Sequence, residues 1–215
     1  MSAEQRQLVI YGAWYFGRVI AEAAEALGWE VLGYVDPDPP QDIVTLDSVP
    51  AGAAVFAAIG DNAIRAAVNA SLLEQGRTLA SIVHPAASVS PSARLGPGSY
   101  VAELAAVRTH ASIGEGVVLQ AGSVVSHDCK IAPYASLGPN AAAASKVTVG
   151  KRTMVGAGAV IAPALVVGDD CTVAAGAAVF KSVEADKSLV GNPARATASP
   201  PKAIKHSDWD ANDVW

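Results

Sequence analysis

VAELAAVRTHASIGEGVVLQAGSVV, residues 101–125, is the stretch that decides the fold. Val101, Val107, Ile113, Leu119 and Val125 stand six apart, and four residues after each comes a mostly small second residue: Ala105, Ala111, Val117, Ser123 and Cys129. The phase extends in both directions. It runs back through Leu95 and Val89 to Val83, and forward through Ile131 and Leu137. After Ala143 it continues with Val149, Val155, Ile161, Val167, Val173 and Val179, so that sixteen of seventeen positions are Val, Ile or Leu. An α-helix cannot hold this phase, because 3.6 residues per turn does not divide six. Short parallel strands wound as a triangular prism can: each face takes one hexapeptide, and three faces make a coil of 18 residues. The aliphatic residue fills the prism and the small residue sits at the corner. A glycine directly after the aliphatic residue, as at Gly96, Gly114, Gly138, Gly150, Gly156 and Gly168, is expected to ease the turn. The period predicts an all-β left-handed parallel β-helix of five to six coils over residues 82–197.

Composition agrees with a narrow prism. Of 215 residues, 51% are hydrophobic but only 6% aromatic and 16% charged, so small aliphatic side chains carry the core. Net charge is −5 and no Lys/Arg-rich run occurs, which argues against a nucleic-acid partner. No apolar run approaches the roughly 18 residues of a membrane span. Residues Met1 to Arg6 lack the basic start and apolar middle of a signal peptide. The expectation is a cytoplasmic protein with no membrane partner. Cys129 and Cys171 both fall on the small inward position, seven hexapeptides apart, which is not a whole number of coils. They are predicted to be free buried thiols on different corners.

The front of the chain, residues 1–81, follows another rule. Apolar runs Gln7–Tyr11, Val31–Val35, Val55–Ile59 and Thr78–Val83 alternate with helical patterns. One pattern sets Val19, Ile20, Ala23, Ala24 and Leu27 on one side and stops at Gly28; the other covers about Ala63 to Gln75. Alternating strand and helix predicts a small Rossmann-like parallel α/β sheet, whose ligand belongs at the carboxyl ends of the strands. Those ends carry Gly12, Asp36 and Gly60-Asp61-Asn62. Gly12-Ala13-Trp14-Tyr15-Phe16-Gly17 keeps the outer glycines of the dinucleotide fingerprint and replaces the middle one with Trp14. The indole blocks the usual approach of a pyrophosphate to the backbone and suits a nucleotide bound differently, or a stacked ring. Gly12, Trp14, Tyr15, Asp36, Gly60 and Asn62 are the candidate substrate contacts; Gly12 and Gly17 also serve a tight strand–helix turn.

Reactive chemistry on the prism centres on Ser126-His127-Asp128-Cys129. A histidine followed by a carboxylate places a general base beside a group that can orient it. Stacking at 18 residues sets Thr109 one coil before His127, then Ser145, Pro163 and Lys181 after it, with His110 below Asp128. A zinc hydratase on the same prism needs three converging histidines, two of them close in sequence. His84, His110, His127 and His206 offer no close pair, so no metal is expected.

The hexapeptide run, Ser126-His127-Asp128-Cys129 and the closing Gly191-Asn192-Pro193-Ala194-Arg195 resemble the hexapeptide acyltransferases. The Rossmann-like front with Gly60-Asp61-Asn62 narrows the resemblance to sugar acetyltransferases of sialic acid, bacillosamine and perosamine pathways, over roughly residues 7–196. The nucleotide-linked aminosugar N-acetyltransferases fit best. The resemblance implies a homotrimer with acetyl-CoA as co-substrate, in the groove between neighbouring prisms. It implies N-acetylation, at C4, of a nucleotide-linked amino-deoxysugar such as GDP-perosamine; O-acetylation of a sialic acid or related sugar is the alternative. UDP, GDP and dTDP all stay compatible with the candidate contacts. By the same resemblance His127 is the general base and Asp128 orients it. A backbone N–H near Ser145 steadies the oxyanion, and the amides of Ala157 and Ala175, one coil apart, hold the CoA arm. Lys181 is a candidate contact for a CoA phosphate. Relatives commonly carry a second histidine nine residues after the first, where this chain has Ser136. The tail, Ala198 to Trp215, leaves the repeat at Pro200-Pro201, and its Trp209 and Trp215 are expected to pack on the trimer.

Overall fold

Residues 6–37 and 44–197 are described by the computed structural model. The tail with Trp209 and Trp215, and Pro39-Pro40 in the front segment, lie outside the described residues.

The front forms a three-stranded parallel sheet in the order β2-β1-β3, from β1 (Gln7–Tyr11), β2 (Glu30–Val35) and β3 (Ala54–Ala57). Helix α1 (Tyr15–Glu25) buries Ile20, Ala21, Ala23 and Ala24, while Val19 of the expected apolar side is exposed. Helix α2 (Asn62–Glu74) is capped by Asp61, whose carboxylate accepts from the amides of Ala63 and Ile64 at 2.9 Å. The fourth expected strand, Thr78–Val83, is divided between two structures. Leu79 makes one parallel bridge to Val55, and Ile82–Val83 already pairs with Tyr100–Val101 of the prism. Of the six residues only Leu79 pairs with the front sheet, so that sheet stays at three strands.

From Ile82 the chain winds as a parallel β-helix of about six turns. Every parallel pairing inside it from Ile82 to Val179 joins residues 18 apart, as Val118↔Ser136↔Met154 illustrates. The first face runs from Ile82–Val83 through Tyr100–Val101, Val118–Leu119, Ser136–Leu137 and Met154–Val155 to Thr172–Val173. The second runs from Ser88–Val89 to Ala178–Val179, and the third from Arg94–Leu95 to Val166–Val167. The aliphatic series is the core: Val101, Leu119, Leu137, Val155 and Val173 are almost wholly buried, with Ala105, Ala135, Ala141 and Ala159 beside them. Cys129 and Cys171 are free and buried; they precede strands of different faces and so occupy different corners.

The corner glycines have a different cause from the expected one. Left-handed backbone falls two residues after them, in an unbroken series from Gly98 to Gly176 that includes His110, Asp128, Tyr134, Asn140 and Arg152. Gly96, Gly114 and Gly168 instead lie against the next coil. A Cβ would stand 2.5 Å from Glu115 N at Gly96, 2.6 Å from Pro133 N at Gly114 and 2.4 Å from Ala185 N at Gly168. Close approach of stacked backbones, not turning freedom, demands glycine there.

The two parts share one apolar core. Leu8, Ile10, Ile20 and Phe56 of the front pack with Ile82, Tyr100, Ala102 and Val118 of the prism. Phe16, Phe56 and Tyr100 meet edge to face, with centroids 5.9–6.4 Å apart. The front therefore covers the lower part of the first face and leaves its upper part open.

Candidate active site

Three corners of the prism carry different chemistry. The corner between the second and third faces holds His127, with Asp128 in the left-handed turn position after it. That geometry folds the carboxylate back on the ring, and His127 Nδ1 meets Asp128 Oδ2 at 2.8 Å. The pair is half exposed. The hydrogen bond from His127 holds the Asp128 carboxyl below its ordinary range, with smaller contributions from the charges of His127, His110 and Lys146. No hydrogen bond between His110 and Asp128 accompanies that stack among the described residues. With Nδ1 on the carboxylate, Nε2 is the ring atom left to take a proton. Ser145 stacks one coil on, about 4.8 Å along the prism, and its hydroxyl lies 3.4 Å from that of Ser126. Lys181 is on the same corner three coils beyond His127. It borders a recess of about 360 Å³ with Phe180, Glu184, Lys187 and Arg195.

The corner between the first and second faces holds Ala157 and Ala175. Both occupy the same turn position as His127 and Ser145. Among the described residues the backbone N–H groups at this position, those of Ser145, Ala157 and Ala175 included, make no backbone hydrogen bond. The neighbouring turn residues bond from coil to coil instead, as Lys146 N–H does to the His127 carbonyl. Beyond Pro139, which has no N–H, this edge thus carries two amide donors one coil apart that no backbone carbonyl takes. Two hollows adjoin it. One, of about 870 Å³, is bounded by Gly60, Asn62, Arg152, Met154, Gly156 and Ala175; the other, of about 280 Å³, by Phe16, Gly60, Arg65, Ser136, Met154 and Ala157.

The corner between the third and first faces is where the front docks. Asn62 is buried, and its amide is occupied: Nδ2 donates to the Arg152 carbonyl at 2.9 Å, and Oδ1 accepts from Ser136 Oγ at 2.6 Å and from Arg65 Nη2 at 2.7 Å. Ser136 therefore belongs to this joint. Sequence reasoning missed Arg65 altogether. Its signal was present: the buried stripe of α2 is Asn62, Arg65, Asn69 and Leu72, polar residues at spacing where a docked helix ordinarily shows apolar ones.

At the strand ends of the front, Asp36 accepts from the Ala13 amide at 2.7 Å and so ties β2 to the loop after β1. Gly12 has φ +114°, and a Cβ there would stand 2.7 Å from the Ala58 carbonyl oxygen; one on Gly17 would stand 2.1 Å from the carbonyl oxygen of Gly12. Both glycines have steric reasons independent of a ligand. Gly60 has none, since a Cβ there meets nothing within 4 Å. Trp14 and Tyr15 are 42% and 50% exposed at the start of α1, a helix whose N-cap supplies no side-chain acceptor. The start of α1 thus differs from that of α2, where Asp61 fills that place.

One chain therefore assembles His127, Asp128 and Ser145 on one corner and Gly60, Ala157 and Ala175 around another. It does not bring the two groups together. Among the described residues no cluster of three or more His, Cys, Asp or Glu could hold a metal ion, and no helix is long and apolar enough to cross a membrane.

Comparison with known proteins agrees with both halves. Residues 7–72 match the PglD N-terminal domain, and residues 146–181 match the bacterial transferase hexapeptide of six repeats. PerB from Caulobacter crescentus, solved in complex with CoA and GDP-perosamine, is 33% identical with a TM-score of 0.84, over 91% of this chain and 99% of that one. A histidine-to-asparagine mutant of perosamine N-acetyltransferase from the same organism, also with CoA and GDP-perosamine, is 32% identical at TM-score 0.84, covering 92% and 99%. The acetyltransferase domain of PglB from Neisseria gonorrhoeae, in complex with acetyl coenzyme A, is 28% identical at TM-score 0.83, covering 90% and 100%.

Proposed function

Because the chain belongs to the hexapeptide-repeat sugar acetyltransferases that carry a PglD-type N-terminal domain, we propose that it moves an acetyl group from acetyl-CoA to the C4 amine of a nucleotide-linked amino-deoxysugar, with GDP-perosamine the representative acceptor. The geometry that carries this reading is the His127–Asp128 pair, 2.8 Å apart on an exposed edge. Nδ1–H donates to the carboxylate, which sets the tautomer with a free lone pair on Nε2. Nε2 takes a proton from the amine as nitrogen attacks the thioester carbonyl. The tetrahedral oxyanion is met by the backbone N–H of Ser145, and the intermediate collapses by expelling the CoA sulfur, which leaves as the thiol once protonated.

The acceptor's nucleotide lies at the strand ends of the front. The start of α1, where no side chain makes a cap hydrogen bond, suits its phosphates, and the exposed Trp14 and Tyr15 rings suit its base; Gly60 leaves room between nucleotide and sugar. Asp36 contributes by fixing the loop at Ala13. Asn62 supports the site from within the joint. The CoA arm runs along the amides of Ala157 and Ala175, toward Lys181.

That arrangement requires a second copy. His127 and Ala157 stand on different corners, so one ligand reaches both only where the His127 corner of one protomer faces the Ala157 corner of the next. The second face is suited to that packing. Its outward residues are Ser88, Ala106, Val124, Ala142, Val160 and Ala178, with no charge among them, whereas the third face presents Arg94 and Lys130. Three prisms side by side close such a contact on itself.

The test is direct. Purified protein, acetyl-CoA and GDP-perosamine should release CoA and yield an acceptor heavier by one acetyl group. His127→Ala should lower kcat by about 10²- to 10⁴-fold, the range for loss of a general base. Unchanged transfer by His127→Ala would refute the mechanism.

A further inference from the structure

The joint between the front and the prism is built on a charge. Arg65 is 1% exposed, and burial pushes its guanidinium down to about 10, so it is protonated at neutral pH. No carboxylate bonds it. Six oxygens receive its N–H groups, and all are neutral. Nε donates to the Gly116 carbonyl at 2.9 Å, and Nη1 to those of Ile59 at 2.7 Å and Gly60 at 3.4 Å. Nη2 donates to Asn62 Oδ1 at 2.7 Å, the Tyr134 carbonyl at 3.0 Å and Ser136 Oγ at 3.1 Å.

The pattern has a regular basis. Gly116, Tyr134 and Arg152 are the left-handed residues of three successive coils on one corner. Their carbonyls take no part in the coil-to-coil bonds among the described residues. Helix α2 satisfies all three, the first two from Arg65 and the third from Asn62 Nδ2. The same guanidinium pins the Ile59 and Gly60 carbonyls, which belong to the loop that walls both hollows beside Ala157 and Ala175. A buried charge hydrogen-bonded only to neutral oxygens is costly to assemble, and the nearby Asp61 carboxylate, which does not bond it, offsets only part of that cost. What it secures is a distance: the β3–α2 loop is set against the prism at the place where the proposed ligands meet.

We propose that Arg65 is a positioning residue for acyl transfer, holding the Ile59–Asn62 loop at the height on the prism that shapes the donor groove. The proposal rests on the transfer reading above. Arg77 is a built-in comparison. It also bridges carbonyls, those of Leu46, Val49 and Pro50, but inside the front and away from the groove.

The experiment compares Arg65→Gln, Arg65→Lys, Ser136→Ala and Arg77→Gln in the full chain, with melting temperature, kcat and KM for acetyl-CoA measured on each. A shifted loop removes binding common to ground and transition states, so Arg65→Gln should raise the acetyl-CoA KM about tenfold with kcat within about threefold. Arg65→Lys should fail to restore it, because an ammonium cannot span six acceptors in a planar fork. Added guanidinium at concentrations that leave the melting temperature unchanged should bring KM back toward wild type. Arg77→Gln should lower the melting temperature with KM unchanged. If Arg65→Gln does not fold, Ser136→Ala carries the test with a rise of about two- to fivefold in the same KM. An acetyl-CoA KM within twofold of wild type in Arg65→Gln, or in Ser136→Ala where that is the surviving variant, overturns the role of Arg65 while wild-type transfer stands. Wild-type protein that neither binds acetyl-CoA nor releases CoA overturns both readings.

Discussion

Replacing Asp128 by Asn isolates what the carboxylate does for His127. Asp128 has φ 59°, a left-handed conformation that Asn adopts at lower cost than Ala, so Asn removes charge with the least backbone strain. The amide can still accept from Nδ1 or can turn and donate to it, and the second arrangement selects the wrong tautomer. In a buried triad that change costs about 10⁴-fold. Here both side chains are about half exposed, 51% and 46%, and water replaces much of what is lost. The expected fall in kcat is therefore about 10- to 100-fold, with KM for both substrates nearly unchanged. CoA release read with a thiol reagent is a suitable assay, since Cys129 and Cys171 are buried. The decisive comparison is a double-mutant cycle. If Asp128 acts through His127, Asp128→Asn should cost almost nothing further in a His127→Ala background. A rate within twofold of wild type, or a full additional loss in the absence of His127, would refute the reasoning. The pH dependence follows the same geometry. The Asp128 carboxyl is held below its ordinary range, so its contribution is complete above that range and is lost only as pH falls through the lowered value.

Three further outcomes are expected. Leu137→Ala, at a position 0% exposed in the prism interior, should lower unfolding free energy by about 2–5 kcal/mol in denaturant titration; a loss under 1 kcal/mol would mean that the coil collapses around the gap. Burial raises both thiols, the largest cause at Cys129 and at Cys171 alike; alkylation at neutral pH should therefore wait for unfolding, and mass spectrometry of the native protein should find neither modified. Val124 and Val160 are 38% and 45% exposed on the uncharged second face. Val124→Glu with Val160→Glu should reduce the light-scattering mass in solution to one chain and abolish transfer; an unchanged oligomer would place the interface elsewhere.

Much of this protein is written in its order of residues, and the reason is mechanical. A stacked coil repeats its environment every 18 residues, so each inward position imposes the same demand on the chain and a period appears. Val101 to Val179 could be read as core for that reason, and the two cysteines as inward fillers. The glycines after the aliphatic positions were visible, but their cause was not. Contact between Gly114 and Pro133, nineteen residues on, exists only once the coils are stacked. The split of Thr78–Val83 between sheet and prism was hidden similarly, because an apolar run does not state which partner it will pair with.

The candidate site divides along the same line. His127 next to Asp128 is a local pair, and a turn of known period brings its ring and carboxylate together. Arg65 touches residues 51 to 71 positions away, and no local rule foretells that. Asn62, read as a ligand contact from its place after a strand, turns inward because the left-handed corners of the prism leave carbonyls that need donors. By itself the sequence determined the repeat, the core, the front sheet and the histidine with its carboxylate, since each follows from period or adjacency. Only the tertiary structure decided that the front docks on a buried arginine and that His127 and Ala157 occupy different corners. Those depend on which surfaces the folded coils leave unsatisfied, a property no stretch of chain has until its neighbours are in place.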